Sequence, residues 1–116
     1  MSAYASLFAA IDAQDAAGFA AHLSEDAEFR FATAPAVVGR AAIADAVAGF
    51  FRSIKALAHE VQVIRQGDDW AVMRGIVTYT RHDGSTLTVP FANVFELREG
   101  LIRDYRIFGD FSALYA

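Results

Sequence analysis

The sequence predicts an α+β domain in which three N-terminal helices cover one face of a curved, mostly antiparallel sheet. Three observations carry that. Apolar residues recur at helical spacing in three segments before residue 55. From residue 57 onward the spacing changes to four long extended runs. Two of the junctions between those runs, Asp83-Gly84 and Glu99-Gly100, have the form of hairpin loops. A chain of 116 residues is read as one domain, residues 1–116, with room for a hydrophobic core.

The elements follow in order. Tyr4, Leu7, Phe8 and Ile11 mark the core face of a helix over 2–13, with Ser2 as its N-cap. Asp12 to Asp15 breaks that pattern, and Asp15 caps a second short helix over 16–23, with Phe19 and Leu23 inward. Ser24-Glu25-Asp26 reads as a turn. Residues 27–31 alternate as a strand with Phe29 and Phe31 on one face. A loop over 32–35 leads to a short extended piece ending at Gly39. Ile43, Val47, Phe50, Phe51 and Ile54 then form the apolar stripe of a third helix over 40–54. Strands follow over 57–66, 70–81, 86–98 and 101–111, and the chain closes in one short turn. Pro90, inside the third of these strands, predicts an edge position or a bulge there.

Composition narrows the function. Hydrophobic residues make up 55% of the chain, including ten Phe, which suggests an apolar cavity or a buried partner surface. A net charge of −4 without any basic cluster argues against nucleic-acid binding. The absence of Cys removes disulfides, thiol nucleophiles and zinc–thiolate sites, and fits a cytoplasmic setting. The first residues lack the basic region of a signal peptide, and no run reaches the roughly 20 apolar residues of a membrane span. No cofactor motif is present, and the three His show no ligand spacing, so neither a cofactor nor a metal is expected.

The two hairpin loops predict which residues meet. A two-residue loop at Asp83-Gly84 pairs Thr78 with Val89, Ile76 with Phe91, and Arg74 with Asn93. A two-residue loop at Glu99-Gly100 pairs Phe95 with Asp104, Asn93 with Arg106, Phe91 with Phe108, and Val89 with Asp110. One face then carries the rows Arg74–Asn93–Arg106, Ile76–Phe91–Phe108 and Thr78–Val89–Asp110. The other carries Met73, Gly75, Val77, Tyr79, Ala92, Val94, Tyr105 and Ile107, and is expected to form a homodimer surface.

Three stretches, AAIDAQDAAGFAAHLSEDAEFRF, VVGRAAIADAVAGFF and VPFANVFELREGLIRDYRIFGDFSAL, resemble the SnoaL-like branch of the NTF2-like superfamily, over essentially the whole chain. The resemblance implies a cone, with three helices packed in a strongly curved sheet around a central pocket. It implies an activity only loosely, because relatives include polyketide cyclases, limonene epoxide hydrolase and ketosteroid isomerase. Asp110 matches the acid that SnoaL-type cyclases use as a base on the final strand. The Arg and Asp of the epoxide hydrolase fall on Phe91 and Asn93, and its Tyr and Asn fall near Phe29 and Phe31. The isomerase Tyr and base fall on Leu7 and Phe31. Of those constellations only the cyclase-like acid is kept.

The candidates for chemistry are therefore few. Asp110 is a base with its pKa raised among aromatics, or the cap of the C-terminal turn through the Ser112 and Ala113 backbone N–H groups. Asn93 donates to a ligand oxygen, or bridges Arg74 and Arg106. His59 is a proton shuttle if it points inward, and otherwise a surface residue. Arg74 and Arg106 form an anion site if both face the cavity unpaired, and otherwise pair with Asp104 or Glu60 toward the rim of the sheet. Phe8, Phe29, Phe31, Phe50, Ile76, Phe91, Phe95 and Phe108 are the expected pocket lining, suited to a flat or polycyclic apolar ligand. Two functions remain: a small hydrophobic-molecule binder with cyclase- or isomerase-type chemistry at Asp110, or a non-catalytic dimeric module whose cavity is small or filled.

Overall fold

The computed structural model describes residues 4–115. Helices α1 (Ala5–Asp12) and α2 (Ala16–Ala20) are followed by strands β1 (Leu23–Phe31) and β2 (Val37–Val38), then helix α3 (Arg40–Arg52). Strands β3 (Ala56–Gln66), β4 (Trp70–Thr80), β5 (Thr86–Arg98) and β6 (Leu101–Phe108) complete a six-stranded sheet in the order β2-β1-β6-β5-β4-β3. A 3₁₀ turn over Ser112–Tyr115 closes it. All neighbours are antiparallel except β1 and β6, which run parallel. This is the NTF2-like cone expected from the sequence.

Local chemistry sets the helix ends. Asp15 caps α2 as expected, its carboxylate accepting the Gly18 N–H at 2.9 Å. The proposed cap at Ser2 lies outside the described residues. The carbonyls at the end of α3 are met by side chains from elsewhere: Gln14 Nε2 on Phe51 O at 3.1 Å and His82 Nε2 on Arg52 O at 2.9 Å. The turn expected at Ser24–Asp26 is instead the irregular start of β1, where the register against β6 shifts between Leu23 and Glu28.

The sheet register differs from the expectation at two places. At the first hairpin, Arg81 N–H donates to Ser85 O and Gly84 N–H to Arg81 O, which makes a three-residue loop over 82–84. Only Gly84 takes positive φ (88°), so the loop does not ask Asp83 to leave ordinary backbone space. The Asp83 carboxylate is used instead to accept the Ser85 N–H at 2.9 Å. The longer loop slips the ladder by one residue, giving Thr78↔Thr88, Ile76↔Pro90, Gly75↔Phe91 and Met73↔Asn93. The second loop pairs Arg98 with Leu101 as expected. A bulge then intervenes, with Leu97↔Ile102 but Glu96↔Asp104, and Asn93 meets Ile107 rather than Arg106. Each slip turns a strand over. Ala71, Met73, Gly75, Val77 and Tyr79 of β4 face inward, together with Tyr105 and Ile107 of β6, while Arg74, Ile76, Thr78, Arg106 and Phe108 belong to the outer face.

Pro90 is tolerated in β5 for a positional reason. β6 ends at Phe108, opposite Ala92, so β5 has a ladder partner on only one side where Pro90 sits. Gly75 serves a close approach. A Cβ there would lie 1.9 Å from the Glu60 carbonyl oxygen, beside the bulge where β3 shifts register between Val61 and Val63. The core fills the concave side: Leu7, Phe8 and Ile11 of α1, Phe19 of α2, and Ile43, Val47 and Phe51 of α3 pack towards Val77, Phe91 and Phe95. Each large apolar side chain buried in this way contributes about 1.5–3 kcal/mol.

Candidate functional site

The helices and the concave face leave a cavity of about 50 Å³. Its wall is largely aromatic, with Phe29 and Phe31 from β1, Phe50 from α3 and Phe91 from β5. Into this apolar setting the chain brings four polar side chains: His59, Tyr79, Asn93 and Tyr105.

His59 comes from β3, where it shares the inward face with Leu57 and Val61. Its imidazole is packed by Phe8 and Phe91, with ring centroids 5.1 and 5.2 Å away. The last residue of α1 holds it in place: Asp12 Oδ1 lies 2.6 Å from His59 Nδ1, and Asp12 Oδ2 accepts the His59 backbone N–H at 3.0 Å. A carboxylate on Nδ1 fixes the tautomer with the proton on that nitrogen and leaves the Nε2 lone pair for another partner. Asn93, on β5, is 2% exposed, and its Oδ1 is buried without a hydrogen-bond partner. Burial pushes the hydroxyl pKa values of Tyr79 and Tyr105 upward. A charge on Tyr115 adds to the first shift and one on Tyr79 to the second. Both tyrosines are thus neutral donors across the ordinary pH range.

A sequence profile of the SnoaL-like domain matches residues 4–105. The chain belongs to the SnoaL-like family. No curated protein is matched. Among solved structures, TerC co-crystallised with polyporic acid superposes with a TM-score of 0.83 at 18% identity, over 95% of this chain and 90% of TerC. An NTF2-like protein of unknown function from Burkholderia pseudomallei K96243 gives 0.85 at 15%, over 94% and 88%. A protein described as a SnoaL-like polyketide cyclase from Jannaschia sp. CCS1 gives 0.81 at 19%, over 94% and 83%. At these identities the likeness is one of fold.

Asp110, the acid that matches the SnoaL-type base, does not reach the cavity of this SnoaL-like protein. It is exposed, just before the final 3₁₀ turn, and its Oδ1 accepts the Ser112 N–H at 3.1 Å and the Ser112 hydroxyl at 2.7 Å. Those two bonds hold its pKa below the usual carboxylate value, the reverse of the shift expected of a buried base. The capping role is realised through Ser112. Arg74 and Arg106 are likewise displaced to the outer face. Arg74 reaches Gln62 at 3.5 Å, while Arg106 lies 3.3 Å from Asp104 and 3.6 Å from Glu28, so the expected inward anion site and the bridge through Asn93 do not form. Ile76 and Phe108 leave the pocket for the same reason. Phe8 and Phe95 stay in the core but off the cavity wall, Phe8 behind the imidazole and Phe95 against Tyr105 at 4.3 Å.

Sequence reasoning did not name Asp12, Tyr79 or Tyr105 as site residues. Asp12 had a local signal. It lies one position past Ile11 and four past Phe8, a carboxylate continuing the buried side of α1. The two tyrosines had none once the strands were placed with the wrong face inward.

Proposed function

We propose that this SnoaL-like protein binds a small, mostly apolar molecule in the central cavity and moves a proton on it through His59. The observation that carries the reading is the Asp12–His59 pair on a wall that also presents the unpaired Asn93 Oδ1. In this reaction neutral His59 Nε2 takes a proton from a carbon beside a carbonyl, and the Asp12 carboxylate stabilises the imidazolium that forms. Asn93 orients the ligand by accepting a hydrogen bond through Oδ1 or donating one through its NH₂ group. Proton return to a second position would complete an isomerisation, and attack of the carbanion on a second carbonyl of the same molecule would complete a cyclisation.

The cavity alone holds little more than one or two waters. A neighbouring groove of about 210 Å³ shares Phe29, Phe31, Val47 and Phe50 with it, so those four side chains form the partition between the two spaces. Joined, the spaces approach the ~300 Å³ at which small-molecule sites begin. TerC, co-crystallised with polyporic acid, supports a ligand in a cone of this kind.

The test is deuterium exchange at the α-carbons of a small ring ketone, cyclohexanone, followed by NMR in D₂O. The chain should accelerate exchange, and His59→Gln should remove about a hundredfold or more of that rate. Exchange that is the same in His59→Gln, with the fold intact, would defeat the proposal.

A second reading is favoured by the small cavity and by the outer face, where Val94 and Phe108 are 40% and 52% exposed. On that reading the outer face, now built from Val72, Ile76, Val94 and Phe108, joins two copies into a non-catalytic dimeric module. Light scattering should then give a dimer that Val94→Arg converts to a monomer, and a wild-type monomer at micromolar concentration would dispose of it.

A further inference from the structure

One part of the cavity wall is built differently from the rest. Among the described residues, Phe111 is the lining residue that belongs to no helix or strand. It lies in the segment 109–115 that follows β6. Its ring packs on Phe31 of β1 with centroids 4.6 Å apart and on Tyr79 of β4 at 6.2 Å. Leu114, three residues on, is buried as well, so the segment lays two apolar side chains against the core.

The chain leaves the sheet here because of the neighbouring strand. β6 pairs with β5 as far as Phe108↔Ala92. Continuing that ladder would set Asp110 opposite Pro90, which has no N–H to give. Beyond Phe108, side chains tie the segment to the body. Arg81 Nε donates to Leu114 O and Arg81 Nη2 to Ala113 O, both at 2.9 Å, and the Tyr115 and Ser53 hydroxyls meet at 2.6 Å. The same guanidinium is braced on the β4–β5 hairpin through Ser85 Oγ at 3.1 Å and Thr86 O at 3.4 Å. The bonds from Ser112 to Asp110, and from Leu114 N–H to Phe111 O, are internal and would travel with the segment. Gly109 sits at the bend. A Cβ there would lie 2.8 Å from the Phe111 ring and 3.0 Å from the Pro90 carbonyl oxygen, so the seated position of Phe111 needs a glycine at 109.

We propose that residues 109–115 form a hinged strap over the central cavity, with Gly109 as hinge, Phe111 as stopper and Arg81 as latch, and that the cavity exchanges its contents with solvent when the strap lifts. With the strap seated, a cavity of about 50 Å³ has no room for a ring. Withdrawing the Phe111 side chain vacates the space of one. A segment tied to the body by a few side-chain bonds opens at lower free energy than a core strand or helix does. The partition towards the neighbouring groove is the other route. It would require movement of Phe29, Phe31, Val47 and Phe50, which stand on β1 and α3, elements held by regular backbone bonding. The strap is independent of the chemistry assigned to His59.

The chain has no Cys, so single introduced cysteines report opening without background. Three buried positions serve: Leu114→Cys beneath the strap, Val77→Cys on the cavity wall, and Ala71→Cys on β4 away from the cavity. Each is alkylated with iodoacetamide and followed by mass spectrometry, with Arg81 intact and with Arg81→Gln. At limiting reagent the rate follows the population of the open form. Leu114→Cys and Val77→Cys should both react faster than Ala71→Cys. Arg81→Gln should accelerate those two about tenfold or more, as loss of hydrogen bonds from a charged donor does, and change Ala71→Cys less than about twofold. The proposal is overturned if Ala71→Cys accelerates equally, which would mean a loosened fold. It is also overturned if Val77→Cys is unchanged while Leu114→Cys speeds up, which would place the entrance elsewhere, or if neither responds. Gly109→Ala displaces the Phe111 ring without touching Arg81. It should give the same pattern, and it decides the question should Arg81→Gln not fold.

Discussion

Replacing Asn93 with Leu should make the protein more stable and less able to respond to a ligand. The side chain is 2% exposed, and its Oδ1 has no partner, so the native state carries the desolvation penalty of an acceptor that gains nothing in return. A penalty of that kind is about 1–3 kcal/mol. Leucine has nearly the same outline, leaves no polar atom in the cavity wall, and adds apolar surface beside Phe91 and Ile107. The expected gain is therefore about 1–3 kcal/mol, and for a domain of this length each kcal/mol raises Tm by about 4 °C. Scanning calorimetry of the two proteins, backed by urea unfolding with an unchanged m-value, measures it. The second half of the prediction is read in the same instrument: stabilisation by cyclohexanone, which the Asn93 NH₂ group would orient, should shrink in the variant. A variant that melts several degrees lower would refute the reasoning, because it would mean that the amide is satisfied in solution and contributes to the fold.

Two further outcomes follow from the geometry. Gly75→Ala places a Cβ on the Glu60 carbonyl oxygen, a backbone atom that cannot swing aside. The variant should lose about 3 kcal/mol or more in urea unfolding, beyond the cost of ordinary overpacking. Asp110→Asn should leave deuterium exchange unchanged and alter only the acid side of the stability profile. The folded state holds this carboxyl below its ordinary pKa through Ser112. Its contribution is thus fully present above the unfolded-state value and is lost as pH falls through the folded one. Melting curves across that window should be less pH-dependent in the variant than in the wild type.

Much of the fold is legible in the chain because each element has its own local signal. The stripe Ile43, Val47 and Phe51 makes α3, and Asp15 caps α2. What the chain does not display is phase. Asp83-Gly84 satisfies either a two-residue loop with two positive φ angles or a three-residue loop with one, and nothing in the dipeptide separates them. The bulge after Leu97 has no marker residue at all. With β4 and β6 each displaced by one position, Asp110, Arg74, Arg106, Ile76 and Phe108 were assigned to the wrong side. Asn93 and Phe91 on β5, Phe29 and Phe31 on β1, and Phe50 on α3 lie on elements that neither slip affects, and they line the cavity. Asp12 and His59 are 47 residues apart, and the long-range packing of α1 against β3 that joins them has no counterpart in local spacing.

The bulge between β5 and β6 has a consequence for how such a cavity can change over time. Leu97 meets Ile102 and Glu96 meets Asp104, so Arg103 is the one residue without a counterpart. Were Arg103 drawn into the ladder opposite Glu96, the remainder of β6 would slip by one residue and turn over. Asp104, Arg106 and Phe108 would come to face the interior, and Tyr105 and Ile107 would face out. Deleting Arg103 would remove that alternative and keep Tyr105 opposite Phe95 on the cavity side. The bulge thus holds a second register within the same sequence, one that would exchange a neutral phenolic wall for a charged one.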